Sequence, residues 1–297
     1  MAAVGLRALI FAQSPLCSAG TKIGEKIDEL LSTGSLARLE RDRNDAGTTA
    51  LRELQRVSGI GRKFAEKLIE VHKITSLSAL QEASERDSSL LSREQKLGLR
   101  HLSDFESRIP RDEISVLETF VRAAADAHKP PLTVTVCGSY RRGKPDSGDI
   151  DCLLCHPSFN SERNGTSFPT WMGALVRALQ ASGFVTDVIS QGLKKCAAVC
   201  RLPAANNAGS VQRYRRLDLR LVPYESYFYS TLYFTGSDEH NKQMRNVAIG
   251  KGLKLSEYGL FPMVNAQEVG ESAPAADEAA IFAHLGMPYK TPLERDV

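Results

Sequence analysis

The sequence predicts an α+β protein of several subdomains, and three observations carry that expectation. Residues 132–137, 149–154 and 215–222 are short β-branched or alternating apolar runs, the pattern of buried and half-buried strands. Amphipathic stretches at residues 22–31, 62–71, 114–127 and 171–182 keep helical spacing and flank those runs. Polar and proline-bearing breaks then divide the chain into segments 1–44, 45–110, 111–224 and 225–297.

In chain order, residues 22–31 carry Ile23, Ile27, Leu30 and Leu31 on one helical stripe, with Gly34 as the stop. Residues 38–49 are charged and polar and read as a linker. A helix begins at 51–57, Ser58-Gly59-Ile60-Gly61 makes a tight hairpin, and 62–71 is a helix with Phe64, Leu68 and Ile69 inward. In such a helix-hairpin-helix, Gly59 and Gly61 let backbone approach a phosphate, and the following helix offers amide donors and a positive dipole end. Arg56, Arg62, Lys63 and Lys67 surround it, although solvated charges on a helix turn would look the same. Residues 81–105 read as one polar helix with Leu90, Leu91, Leu97 and Leu99 apolar, broken at Ile109-Pro110. An Ala-rich helix over 114–127 ends before Pro130-Pro131, and the strands follow. Residues 158–169 form a polar loop, 171–182 a helix stopped by Gly183, and 184–202 further strands with Lys194-Lys195 between them. Residues 206–210 are a loop, the chain from Glu225 onward a small α/β subdomain, and 268–278 an acidic surface loop.

The chemistry concentrates after the first strand, at Gly138-Ser139-Tyr140-Arg141-Arg142-Gly143 and then Asp149-Ile150-Asp151. A Gly-Ser at a strand end turns amides and a hydroxyl outward, as a phosphate cradle does, and two guanidinium groups suit a triphosphate. The two aspartates, at spacing i, i+2, share one strand face, while Ile150, Cys152 and Leu154 take the other. Paired carboxylates suit Mg²⁺. Two metals need a third carboxylate, and Asp218 is the candidate, opposite in parity to Leu217, Leu219 and Leu221. In isolation Asp218 would be a surface salt-bridge residue.

Composition narrows the classes. With 297 residues, 42% hydrophobic and 25% charged, the chain is ordinary for a folded protein, and its net charge of +3 requires any nucleic-acid contacts to be local. No apolar run approaches membrane-spanning length. The six cysteines are scattered, and Cys152-x-x-Cys155 on a strand would point to opposite faces, so neither a disulfide framework nor a zinc site is expected. Residues 1–20 hold one arginine and no acid, which makes a weak mitochondrial presequence or an unstructured start.

The run Gly-Ser-Tyr-Arg-Arg-Gly, Asp-Ile-Asp and Arg215-Arg216-Leu217-Asp218-Leu219-Arg220 resembles the X family of DNA polymerases, within the nucleotidyltransferase superfamily. Val57-Ser58-Gly59-Ile60-Gly61, residues 104–110, Tyr233-Phe234-Thr235-Gly236-Ser237-Asp238, Asn241, Met244-Arg245 and Glu257-Tyr258 extend the match from about residue 20 to the C-terminus. The specific resemblance is to the beta type within that family, which implies gap filling in base-excision repair. It implies a helix-hairpin-helix DNA-binding subdomain over 45–110, a catalytic palm over 111–224 and a nucleotide-selection subdomain over 225–297. It implies that Asp149, Asp151 and Asp218 bind two Mg²⁺ (Mn²⁺ can substitute), with Arg216 orienting Asp218. By the same resemblance, Ser139, Arg142, Gly148 and Arg108 hold the triphosphate. Tyr233, Phe234 and Gly236 line the sugar pocket, and Asp238 and Asn241 meet the base. Carbonyls of Gln55, Val57 and Ile60 take Na⁺ or K⁺. Gly59, Gly61, Arg62, Lys63, Lys195, Arg220 and Arg245 contact DNA, and Glu257 and Tyr258 support a closed state. Substrates are gapped or nicked duplex DNA and dNTPs, with other repair proteins as partners, no membrane, a monomeric chain and a nuclear or, alternatively, mitochondrial location. Residues 1–44 resemble only the tail of the family's lyase domain. Lys26 falls at the Schiff-base position, and without the preceding helices weak or absent 5′-deoxyribose phosphate removal is expected. The competing classes are a template-independent or RNA-directed nucleotidyltransferase and a non-catalytic DNA-binding module.

Overall fold

Why the paired-aspartate run should lie in a sheet becomes plain from the computed structural model, which describes residues 21–37, 46–160, 169–203 and 213–296. The expectations for residues 1–20 and for the loop at 206–210 lie outside the described residues. The chain divides into two units, residues 1–91 and 92–297.

The first unit is helical: α1 (Thr21–Thr33), α2 (Ala46–Gln55), α3 (Arg62–Glu70) and α4 (Leu77–Arg86). Helix α1 ends as expected at Gly34, whose φ is +74° and whose N–H donates to the Leu30 carbonyl. Its apolar stripe faces solvent, with Ile23, Leu30 and Leu31 all exposed. Helix α2 starts at Ala46, so residues 46–49, expected in a linker, are its first turn. Leu54, Val57, Ile60, Ala65, Leu68 and Leu80 form the interior of this unit, and Phe64 and Ile69 are half-buried at its margin. Ser76 caps α4, and the Glu53 carboxylate of α2 accepts from the Leu77 amide at 3.0 Å, tying the two helices together. The long helix expected over 81–105 is three helices. Asp87 turns the chain by accepting from the Ser89 amide, and Ser92 with Gln95 forms a capping box that starts the next helix afresh.

The second unit opens with α5 (Arg93–Arg100) and α6 (Leu102–Glu106), then β1 (Ile109–Pro110) and α7 (Arg111–Ala127). Next come β2 (Thr133–Val136), α8 (Gly138–Arg141), β3 (Asp146–Ser147), β4 (Ile150–Cys155), α9 (Trp171–Ala181), β5 (Val185–Gln191), β6 (Lys195–Cys200) and β7 (Arg215–Leu221). Five strands make one mixed sheet in the order β2-β4-β7-β6-β5, in which only β4 and β7 run parallel. Helices α7 and α9 cover one face and bury Leu117, Val121, Leu175 and Leu179 against Ile150 and Leu217. Full burial of each such side chain is worth roughly 2 kcal/mol, which fixes the strand parity and leaves Asp151, Asp218 and Arg220 on the opposite face, where Leu153 and Cys155 pack with Tyr227 and Phe234. Phe159, expected in a polar loop, is a buried member of this core. Cys152 belongs to this core and Cys155 to a different cluster with Cys137, Leu153 and Val222, as opposite strand faces require.

The C-terminal part packs α10 (Tyr227–Thr235), α11 (Asp238–Gly250), a three-stranded sheet of β8 (Leu253–Ser256), β9 (Gly259–Val264) and β10 (Gln267–Glu268), and α12 (Glu278–Leu285). Tyr229, Leu232, Met244 and Phe282 are its core. Glu278, expected in a surface loop, is buried in an ion-pair network with Arg141 and Arg295. Among the described residues no helix is long and apolar enough to cross a membrane.

Candidate active site

The register of the two parallel strands creates the site. Asp151 of β4 lies directly opposite Asp218 of β7. Asp149 precedes Asp151 by two residues and Arg216 precedes Asp218 by two, so strand parity brings all four to the face opposite α7 and α9. Arg216 Nη2 donates to Asp149 at 3.2 Å and to Asp218 at 3.3 Å. Among the described residues Asp151 has no such partner, and burial, then the charges of Asp149 and Asp218, push its carboxyl up to about 7. Asp218 is also raised by burial, with Arg216 opposing. Gly138 makes room for this arrangement: its φ is +60°, and a Cβ there would sit 3.2 Å from Asp151 Oδ2.

This donor set fits a hard divalent cation, because it is all carboxylate oxygen and its mutual repulsion is what a cation would relieve. Among the described residues no three His, Cys, Asp or Glu side chains already converge as a ready-made metal cluster. Instead Arg216 supplies positive charge and draws Asp149 and Asp218 toward itself.

The cradle beside it is a single helical turn, α8, rather than the open strand-end turn expected, since the Arg142 amide closes back on the Gly138 carbonyl. Ser139 Oγ donates to Ser147 Oγ at 2.8 Å. Arg108 pairs with Asp146, and its Nη1 would lie 3.3 Å from a Cβ at Gly148, so that glycine keeps the guanidinium close to backbone. The two adjacent arginines part company. Arg142 donates from Nη1 to the Thr235 carbonyl at 2.6 Å and from Nε to Asp296 at 3.0 Å. Arg141 instead forms a bidentate pair with Glu278 at 2.6 and 3.0 Å and donates to Thr235 Oγ1 at 2.8 Å.

Helix α10 ends on Tyr233 and Phe234, whose rings meet edge to face at 5.0 Å. Arg220 lies over Phe234 at 4.3 Å and Arg245 over Tyr233 at 6.0 Å. Gly236 follows with φ +71°, and a Cβ there would stand 3.2 Å from Arg142 Nη1. Asn241 Nδ2 holds the Tyr233 carbonyl at 2.7 Å. Asp238 in the first turn of α11 pairs with Lys242, which lowers its carboxyl. Tyr233, Asn241, Arg245, Tyr229, Leu255 and Ser256 line a small cavity. The Glu257 and Tyr258 carbonyls, in the turn between β8 and β9, accept from Ser230 and Ser226, leaving the Tyr258 ring exposed. Lys195 begins β6 and pairs in register with Arg220.

Within the first unit, the hairpin between α2 and α3 closes through Val57 N to Leu54 O and Ile60 N to Val57 O. Gly59 has φ +86°, and a Cβ at Gly61 would meet nothing within 4 Å, so the backbone there is open to approach. Arg62 pairs with Glu66 on its own helix at 2.8 Å, while Lys63 is exposed. Gln55 ends α2. Lys26 is exposed on α1.

Sequence reading missed Asp146, Ser147, Thr235, Glu278 and Asp296 as members or supports of this site. Their partners lie up to 154 residues away, and no local pattern marks such a pair.

Comparison with known proteins gives three consecutive family matches: the fingers domain of DNA polymerase lambda over residues 52–106, the DNA polymerase beta palm over 108–224 and the DNA polymerase beta thumb over 230–296. The chain is 37% identical to DNA polymerase lambda of Rattus norvegicus, over 93% of this chain and 47% of that protein. It is 28% identical to DNA polymerase lambda of Arabidopsis thaliana, covering 94% and 52%, and 27% identical to DNA-directed DNA/RNA polymerase mu of Homo sapiens, covering 91% and 57%. It thus spans about half the length of these relatives.

Proposed function

The chain belongs to the X family of DNA polymerases, and from that premise we propose that it is a template-dependent DNA polymerase that fills short gaps during repair, base-excision repair in particular. The observation that carries this reading is Asp151 facing Asp218 across neighbouring parallel strands, with Asp149 and Arg216 on the same face. Burial and the neighbouring carboxylates raise both Asp151 and Asp218, with Arg216 as a shared counter-charge, an arrangement that a bound cation would relieve.

In this reading Asp149 and Asp151 hold two Mg²⁺ ions, or Mn²⁺ in their place, and Asp218 joins at one of them. The ions would activate a primer 3′-hydroxyl and offset charge on the departing pyrophosphate. Arg216 keeps Asp218 and Asp149 aimed and shields their repulsion. Ser139, Arg142, Gly148 and Arg108 hold the triphosphate of a dNTP. Tyr233, Phe234 and Gly236 press against the sugar, where their bulk excludes a 2′-hydroxyl, and Asp238 and Asn241 meet the base. Lys195, Arg220 and Arg245 serve the template side, and Glu257 and Tyr258 the closed state.

The hairpin of Gly59 and Gly61, with the carbonyls of Gln55, Val57 and Ile60 around Na⁺ or K⁺, grips duplex phosphate, aided by Arg62 and Lys63. Lys26 is exposed on α1, and part of the reading is that this helix is only the tail of a lyase domain. Removal of 5′-deoxyribose phosphate is therefore weak or lost in this segment. The place of action is the nucleus. Primer extension on gapped duplex DNA tests the reading: addition of the complementary dNTP, dependent on Mg²⁺, is expected. A chain that binds the DNA but adds nothing would be a binding module instead.

A further inference from the structure

The C-terminal strap, residues 292–296, lies against the phosphate cradle and is held there on several sides. Arg295 is fully buried, with Nη1 on Glu278 at 2.6 Å and Nε on the Lys290 carbonyl at 3.0 Å. Its own carbonyl accepts from Ser237 Oγ at 2.7 Å. Leu293 packs over Gly143 so closely that a Cβ at that glycine would meet Leu293 Cδ2. Asp296 follows Arg295 directly. One of its carboxylate oxygens takes Arg142 Nε at 3.0 Å, and the other takes the Lys144 ammonium. Arg142 also gives Nη1 to the Thr235 carbonyl at 2.6 Å and is only 15% exposed.

Two acceptors from different parts of the chain therefore fix both ends of one guanidinium plane. They leave Nη2 without a partner among the described residues. A free arginine side chain has rotamer entropy to lose on binding an anion. One pinned at Nε and Nη1 has lost it already, in folding.

We propose that Asp296 is a positioning residue of the nucleotide site: it holds Arg142, and with it Lys144, in the geometry that receives the polyphosphate of the substrate. The inference rests on the nucleotide-transfer reading above and deepens it, because it makes the last turn of the chain part of substrate binding. The carboxylate touches no substrate. It acts through Arg142, by preorganisation. The anchored Arg295 next to it keeps the strap in place when an anion arrives, so Asp296 orients the cation rather than competing for it.

The test compares wild type with Asp296→Asn and Asp296→Glu in the full chain. Equilibrium binding of a fluorescent deoxynucleoside triphosphate with Mg²⁺ is measured first, without DNA. KM and kcat for gap filling follow, and then KM for pyrophosphate in the reverse reaction. Asp296→Asn is expected to weaken triphosphate binding and to raise both KM values about five- to twentyfold, with kcat within threefold. Melting temperature and affinity for gapped DNA stay unchanged, and Asp296→Glu recovers most of the loss. Unchanged triphosphate binding in Asp296→Asn overturns the inference. So does a loss shared equally by melting temperature, DNA affinity and kcat, which would make the strap a structural tie. If wild type binds triphosphate in an Asp296-dependent way yet extends no primer, the polymerase reading fails and this inference stands. A wild type that binds no triphosphate ends both.

Discussion

In the proposed reading the hairpin of the first unit and the sheet face of the second both serve phosphate, and they are built from opposite materials. The hairpin works with backbone: Gly59 at φ +86°, Gly61 open to approach, and the first amides of α3. Its side chains add positive charge around that backbone, and Arg62 is occupied by Glu66 in an exposed pair of little energetic weight. The sheet face works with side chains. Asp149, Asp218 and Arg216 share hydrogen bonds, Asp151 is pushed up to about 7, and Arg142 is pinned at two nitrogens. Backbone donors suit a site that must accept any sequence, whereas chemistry requires charges held at fixed positions.

The sharpest way to break the contrast is Asp151→Ala. Nucleotide incorporation should fall by more than about a thousandfold in single-turnover assays, while affinity for gapped DNA stays within twofold and the melting temperature holds or rises. Residual activity within tenfold of wild type would remove Asp151 from the chemistry. The complementary experiment reverses charge at the hairpin. Lys63→Glu with Lys67→Glu should weaken DNA binding by roughly ten- to a hundredfold, equally for unrelated sequences, and flatten its dependence on salt in fluorescence anisotropy titrations. A sequence-dependent loss would mean that the hairpin reads bases.

Smaller effects are expected in the aromatic pocket. Phe234→Ala or Tyr233→Ala should improve ribonucleotide use relative to deoxynucleotide use by about tenfold, measured as the ratio of kcat/KM values. Unchanged discrimination in both variants would put the sugar gate elsewhere.

The smallest concerns acid, and it separates fold stability from both sites. His240 is fully buried with neither ring nitrogen hydrogen-bonded, and burial, then Arg295 and Lys290, lower it to about 4. Between its ordinary value of 6.5 and about 4, the unfolded chain binds a proton that the folded chain refuses. Stability is therefore complete above pH 6.5 and falls as pH drops, by about 1 kcal/mol at pH 5.5. Thermal melts should show this loss in wild type and not in His240→Phe.

What could be seen in the sequence follows the same division. Strand alternation around Leu217, Leu219 and Leu221 places Asp218 on the face opposite the leucines, and the two glycines mark the hairpin, because both signals are local. The long helix over residues 81–105 was misread because three short helices keep nearly the same apolar spacing. Their interruption depends on Asp87 and on the Ser92–Gln95 box, which look like ordinary polar surface. The Arg141–Glu278–Arg295 network was invisible, since its members meet across 137 and 17 residues. Glu278 looked like part of an acidic loop for the same reason. The polymerase motifs identify the family and not the member, because they mark the residues whose chemistry the family shares. The exposed stripe of α1 has helical spacing, but periodicity alone does not say whether a face is covered.

Asp218 decides the central claim, that two neighbouring strands carry one site, because alone it would pass for a surface ion-pair residue. The measurement is the single-turnover rate of filling a one-nucleotide gap by Asp218→Asn, at saturating DNA and Mg²⁺, beside wild type. A rate lower by about a thousandfold or more, with DNA affinity and melting temperature preserved, is the expected result. A rate within tenfold of wild type would contradict it and reduce Asp218 to a partner for Arg216.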